Sequence, residues 1–73
     1  MFPNLNSEMT RFNVTVEDLA NLLGVAPNNV RARFRGATNI TFGEACKIRD
    51  FFNENFGTNF TIDYLFASEP IAV

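Results

Sequence analysis

The chain has no histidine, no tryptophan and one cysteine. Without histidine it lacks the side chain that most often moves protons near neutral pH and most often ligates metals. Cys46 alone can neither close an intrachain disulfide nor complete a cysteine zinc set. A metal-free, cofactor-free fold in a reducing compartment is expected. No apolar run approaches the roughly 20 residues that span a bilayer. The start, MFPNLNSEM, lacks a basic n-region and an apolar h-region, so it does not read as a signal peptide, and a cytoplasmic protein off the membrane is expected. No nucleophile stands beside a base, no carboxylates pair at an evident pocket, and no glycine-rich phosphate loop occurs. The expectation is no enzyme and no small-molecule ligand.

What is present is apolar and aromatic. Of 73 residues, 47% are hydrophobic and nine are Phe. A single domain of this length lies near the lower limit for a core without staples. Large aromatic rings offset the small size, because each buries much area.

The net charge is −2, which by itself argues mildly against nucleic acid. Its distribution argues the other way. Five of the six basic residues are Arg, and Arg31, Arg33 and Arg35 alternate within one short segment. No acid lies between Asp18 and Glu44. The chain therefore has a basic middle between acidic ends.

Punctuation divides the sequence into about five short helices, an all-α bundle. Pro3 suits a first helical position, and Leu5, Met9 and Phe12 follow at helical spacing up to a break at Asn13-Val14. Thr15 with Asp18 is close to a capping box, with Val14 and Leu19 at staple positions. Val16, Leu19, Ala20 and Leu23 form a one-sided stripe that Gly24 ends. Pro27 opens a third helix that ends by Gly36, in which only Val30 and Phe34 are apolar. Thr41 with Glu44 is a full capping box. Phe42, Ala45, Ile48 and Phe52 supply the inner stripe of a fourth helix, Phe51 widens it, and Asn53 to Gly57 closes it. Thr61 can cap a last helix, IDYLF. Cys46 reads as a small, buried or half-buried hydrophobe, and Tyr64 as a core ring with a solvated hydroxyl. The domain is expected over residues 1–67, with SEPIAV (68–73) as a tail.

Two short helices across a tight, glycine-containing turn brace each other at a steep angle. Ala20 is small enough for a close approach, and Leu23, Val25 and Val30 fill the corner. The outer face of the third helix then protrudes and can enter a DNA major groove about 12 Å wide. Asn can pair with adenine N6 and N7, and Arg can fork onto guanine O6 and N7. Asn28 and Asn29 lie in the first turn, where helix-start chemistry also favours them.

The segment VEDLANLLGVAPNNVRARFRG (16–36) resembles the helix-turn-helix of the lambda-repressor-like, or XRE/Cro-type, family of transcriptional regulators. GATNITFGEACKIRDFF resembles the loop and fourth helix of small prophage-type members, and TIDYLF their closing helix. The likeness covers roughly residues 2–67. Val16 stands where many members carry Gln, and Ala26 where a Ser or Thr cap is usual. The resemblance implies a lambda-repressor-like fold and a sequence-specific double-stranded DNA-binding regulator, a repressor type, acting as a homodimer. The helix-turn-helix would span 16–35, with recognition helix 27–35 in the major groove. Expected base contacts are Asn28, Asn29, Arg31, Ala32 and Arg33. Expected phosphate contacts are Arg11, Arg35, Thr38 and Asn39. For the arginines the plainer alternative is a solvated helix face. The rival function is a protein-interaction module on the same scaffold. The dimer surface is open: the tail Pro70–Val73 and the late Phe residues of the fourth helix are candidates.

Overall fold

The computed structural model describes residues 2–68. Of the expected tail it includes only Ser68; residues 69–73, and with them the Pro70–Val73 candidate for a dimer surface, lie outside the described residues. Five helices follow in order: α1 (Pro3–Arg11), α2 (Val16–Leu23), α3 (Pro27–Phe34), α4 (Phe42–Phe56) and α5 (Ile62–Leu65). The described residues contain no strand, so the fold is all-α, as expected.

The helix starts follow local chemistry. At Thr15/Asp18 and at Thr41/Glu44 both reciprocal bonds of a capping box are present. Thr61 accepts from the Tyr64 amide at the start of α5. Ala26 makes no side-chain cap, and α3 relies on the fixed φ of Pro27 instead. The first three helices end alike. The amides of Val14, Val25 and Ala37 reach back five residues to the carbonyls of Met9, Ala20 and Ala32 at 2.8, 3.1 and 2.9 Å. Each closure needs a left-handed residue just before it. Gly24 (φ +70°) and Gly36 (φ +81°) supply it without strain, and Asn13 adopts it at φ +56°.

Each helix sends apolar side chains to one centre: Leu5 and Met9, Leu19 and Ala20, Val30, then Ala45, Ile48 and Phe52, and finally Leu65. Around this core lies an aromatic layer. Phe12 stacks on Phe56 with centroids 4.5 Å apart, and Phe52 meets Phe60 edge-on at 5.8 Å. At the other end of α1, Phe2 sits against Phe66 and Phe34 at 5.3 and 6.2 Å.

Two polar devices fasten the ends, and neither was expected from the sequence. Asn4 and Glu8 on α1 are buried. Asn4 Nδ2 donates to the Tyr64 carbonyl at 2.9 Å, and the Tyr64 hydroxyl donates to Glu8 Oε2 at 2.6 Å. The Tyr64 hydroxyl is thus bonded to a buried carboxylate, not left to solvent. That bond is the main reason its pKa is raised, with burial adding to it. In the second device, Asn53 Oδ1 accepts from Thr58 Oγ1 at 2.7 Å and from the Phe60 amide at 2.8 Å, while its Nδ2 donates to the Phe60 carbonyl at 3.1 Å. Asn53 is therefore inside α4, organising the following loop. The helix continues to Phe56 and stops at Gly57, in a left-handed conformation.

Phe42 corrects the expected inner stripe, because it is 75% exposed. At about 100° per residue, Ala45, Ile48 and Phe52 centre on one direction, and Phe42 lies about 90° from it. Residue spacing alone joined it to a stripe that the helix turns away from it.

Candidate nucleic-acid interface

The corner between α2 and α3 forms around Ala20 (2% exposed) and Val30 (1% exposed), with Leu23 and Val25 packed against the core. Of α3, only Val30 is buried. The rest of that helix is positioned by its own geometry. Val30 and Phe34 face inward, and at about 100° per residue the opposite direction falls on Ala32, with Asn28, Asn29 and Arg35, the residue that ends the helix, within about 60° of it. These four make the crest of α3 and its C-terminal end. Arg31 then falls on one flank and Arg33 on the other.

Each flank meets an acid. Arg31 Nη2 donates to Glu17 Oε2 of α2 at 2.9 Å, and Arg31 Nη1 donates to Asn28 Oδ1 at 3.3 Å. This pair is open to water, with side chains 48% and 59% exposed. Arg33 forms the tighter pair. Its Nε and Nη2 donate to the two oxygens of Glu44, both at 2.9 Å, and its Nη1 donates to the Asn29 carbonyl at 2.9 Å. These side chains are only 18% and 17% exposed. Glu44 Oε1 also accepts the Thr41 amide at 3.1 Å, so one carboxylate caps α4 and holds α3. The Arg33 hydrogen bond is the largest cause of the lowered Glu44 pKa, opposed by desolvation and helped by the Thr41 amide.

The expected contact residues therefore separate. Asn28, Asn29 and Arg31 are exposed on α3, Arg35 is exposed at its C-cap, and Ala32 is partly exposed at its crest. Arg33 points to α4, so its fork is occupied by Glu44. Thr38 and Asn39 are exposed beyond the C-terminal end of α3, lining an open hollow of about 480 Å³ with Arg33 and Phe2. No hydrogen bond or ion pair holds the Arg35 side chain among the described residues. Arg11 is not brought to this group. It lies 3.5 Å from Glu8 Oε1 and 5.1 Å from the Phe12 ring centroid, and lines a separate hollow with Phe60, Thr61 and Tyr64.

Glu17 and Glu44 are the partners that sequence reasoning missed. They are 14 and 11 positions from Arg31 and Arg33, and no local spacing rule joins residues that far apart. Only the packing of α3 among its neighbours does so. Among the described residues no cluster of potential metal ligands occurs, and no helix is long and apolar enough to cross a membrane. No family model matches the chain, and neither does any curated protein or solved structure.

Proposed function

We propose that this protein is a small sequence-specific double-stranded DNA-binding regulator that sets α3 in the major groove and binds as a dimer. The observation that carries the reading is a helix braced by a tight corner that buries one residue and presents Asn28, Asn29 and Ala32, with Arg35 at its C-terminal end, on its outer crest. Its N-terminal end adds a positive dipole pole, which favours nearby phosphate. The resemblance of residues 16–36 to XRE/Cro-type regulators supports the same reading. Asn28 and Arg31 are the proposed base readers, with Asn29 beside them and Ala32 placed for a thymine methyl. Arg35, Thr38 and Asn39 are the proposed phosphate contacts.

Selection from a random duplex pool, followed by binding of a selected and an unrelated duplex over a salt series, tests the reading. With Arg35 the one cation on a phosphate per subunit, and Thr38 and Asn39 adding uncharged contacts, log K should fall against log salt with a slope near −0.9 per subunit. Arg35→Ala should weaken all duplexes alike, and Asn28→Ala should cost about 1–3 kcal/mol at one base pair. Absence of binding to any selected duplex at low salt overturns the proposal. One observation favours the rival protein-interaction module: Glu17 and Glu44 pair with both arginines of α3, while Phe42 stands 75% exposed nearby in sequence.

A further inference from the structure

We propose that Glu17, Arg31 and Asn28 form a donor-rich reading unit whose preferred base is guanine, with Glu17 as its positioning residue. The inference rests on α3 being the groove helix. Its geometry is that of three linked side chains. Glu17 Oε2 takes one N–H of Arg31 at 2.9 Å, and Asn28 Oδ1 takes another at 3.3 Å. Two of the five guanidinium donors are thereby held, and three remain. The Asn28 oxygen is turned to Arg31, so the amide offers the groove its N–H₂ group.

The consequence is chemical. Asn with both ends free suits adenine, which presents a donor and an acceptor together. Here the oxygen is turned to Arg31, which engages one of its two lone pairs, and N–H donors of Arg31 and Asn28 predominate. Guanine presents two acceptors, N7 and O6, in the major groove. A donor-rich surface suits guanine better than adenine or cytosine, whose N6 and N4 groups are donors.

Glu17 has a second effect. Its side chain is 59% exposed in the first turn of α2. In water such a pair is weak. When DNA excludes water, the attraction strengthens as the local dielectric falls. The pair then holds Arg31 over the base edge, where an untethered guanidinium would swing to the nearest phosphate. Glu17 also repels phosphate on its own account. Both effects lower non-specific affinity more than specific affinity.

The test compares wild type, Glu17→Gln and Arg31→Lys. Sites are selected from a random duplex pool for each, and affinities for the wild-type site and an unrelated duplex are measured over a salt series. Wild type should select guanine at one position per half-site. Glu17→Gln should lose that preference, lower the specific-to-non-specific ratio about tenfold, and steepen the non-specific salt slope by about 0.9, one phosphate more. Arg31→Lys keeps the charge but not the fork. It should lose the guanine preference with the slope unchanged. The thermal midpoint reports folding, and both side chains are exposed enough that it should barely move. Selection of adenine at the position that Asn28→Ala relaxes overturns the proposal. So does an unchanged guanine preference in Glu17→Gln, or an equal loss on both duplexes with a lowered midpoint, which is the mark of a mere brace. In these cases wild type still binds selectively and α3 remains the groove helix. If wild type binds no duplex, the functional reading itself falls, and this proposal with it.

Discussion

The Arg33–Glu44 pair should behave as a structural clamp, and a double-mutant cycle can measure it. Arg33→Met keeps much of the side-chain volume and removes the charge. Glu44→Gln keeps an acceptor for the Thr41 amide and removes the carboxylate. The pair has two charge-assisted bonds at 2.9 Å, and its side chains are 18% and 17% exposed. Fully exposed pairs contribute about 0.2–1 kcal/mol, and hydrogen bonds to charged groups out of water about 1.5–3. This geometry lies between, so each single variant should lose about 1–3 kcal/mol, with a coupling of about 1–2 kcal/mol. In a domain of this size each kcal/mol corresponds to a shift of about 4–8 °C in Tm. The readout is thermal and urea unfolding followed by circular dichroism. The cycle Arg31→Met with Glu17→Gln is the internal control, because that pair is 48% and 59% exposed. Its coupling should stay below about 1 kcal/mol and vanish near 1 M salt, where the Debye length is about 3 Å. The Arg33–Glu44 coupling should persist there. A coupling for Arg33–Glu44 within about 0.3 kcal/mol of zero, or one no larger than the control, refutes the reasoning.

Three further outcomes are expected. Phe52→Ala removes a fully buried ring from the centre of the aromatic layer and should cost about 3–5 kcal/mol, most of the stability of so small a domain, seen as loss of a cooperative urea transition. Gly24→Ala places a Cβ with nothing within 4 Å, so the cost comes from φ +70° alone, about 1–2 kcal/mol in unfolding free energy. Two groups shape the pH profile. The lowered Glu44 pKa means a contribution fully present above the ordinary carboxylate range and lost as pH falls through the folded value, and Arg33→Met should flatten that acid limb. The raised Tyr64 pKa means a contribution present below the ordinary phenol value and lost as pH rises through the folded one. Tyr64 is the sole Tyr and there is no Trp, so tyrosinate absorbance reports it alone, and Tyr64→Phe should remove the alkaline limb.

The sequence by itself determined the helices, their ends and most of the core. Caps such as Thr15/Asp18 and Thr41/Glu44, and stops such as Gly24 and Gly57, act within a few residues, so their chemistry is legible along the chain. The protruding face of α3 was equally legible, because only Val30 and Phe34 could turn inward. What the tertiary structure decided was which of its charges stay free. Along the chain the stretch from Leu19 to Gly43 holds no acid and reads as a basic segment. In space the acids just outside it, Glu17 and Glu44, close on its two flanks and neutralise Arg31 and Arg33, leaving Arg35. The same applies to Asn4 and Glu8, whose partner Tyr64 is 60 and 56 positions away. Helical rotation sets which flank a side chain occupies, and packing sets what it meets there. Neither partner is written in the residues beside it.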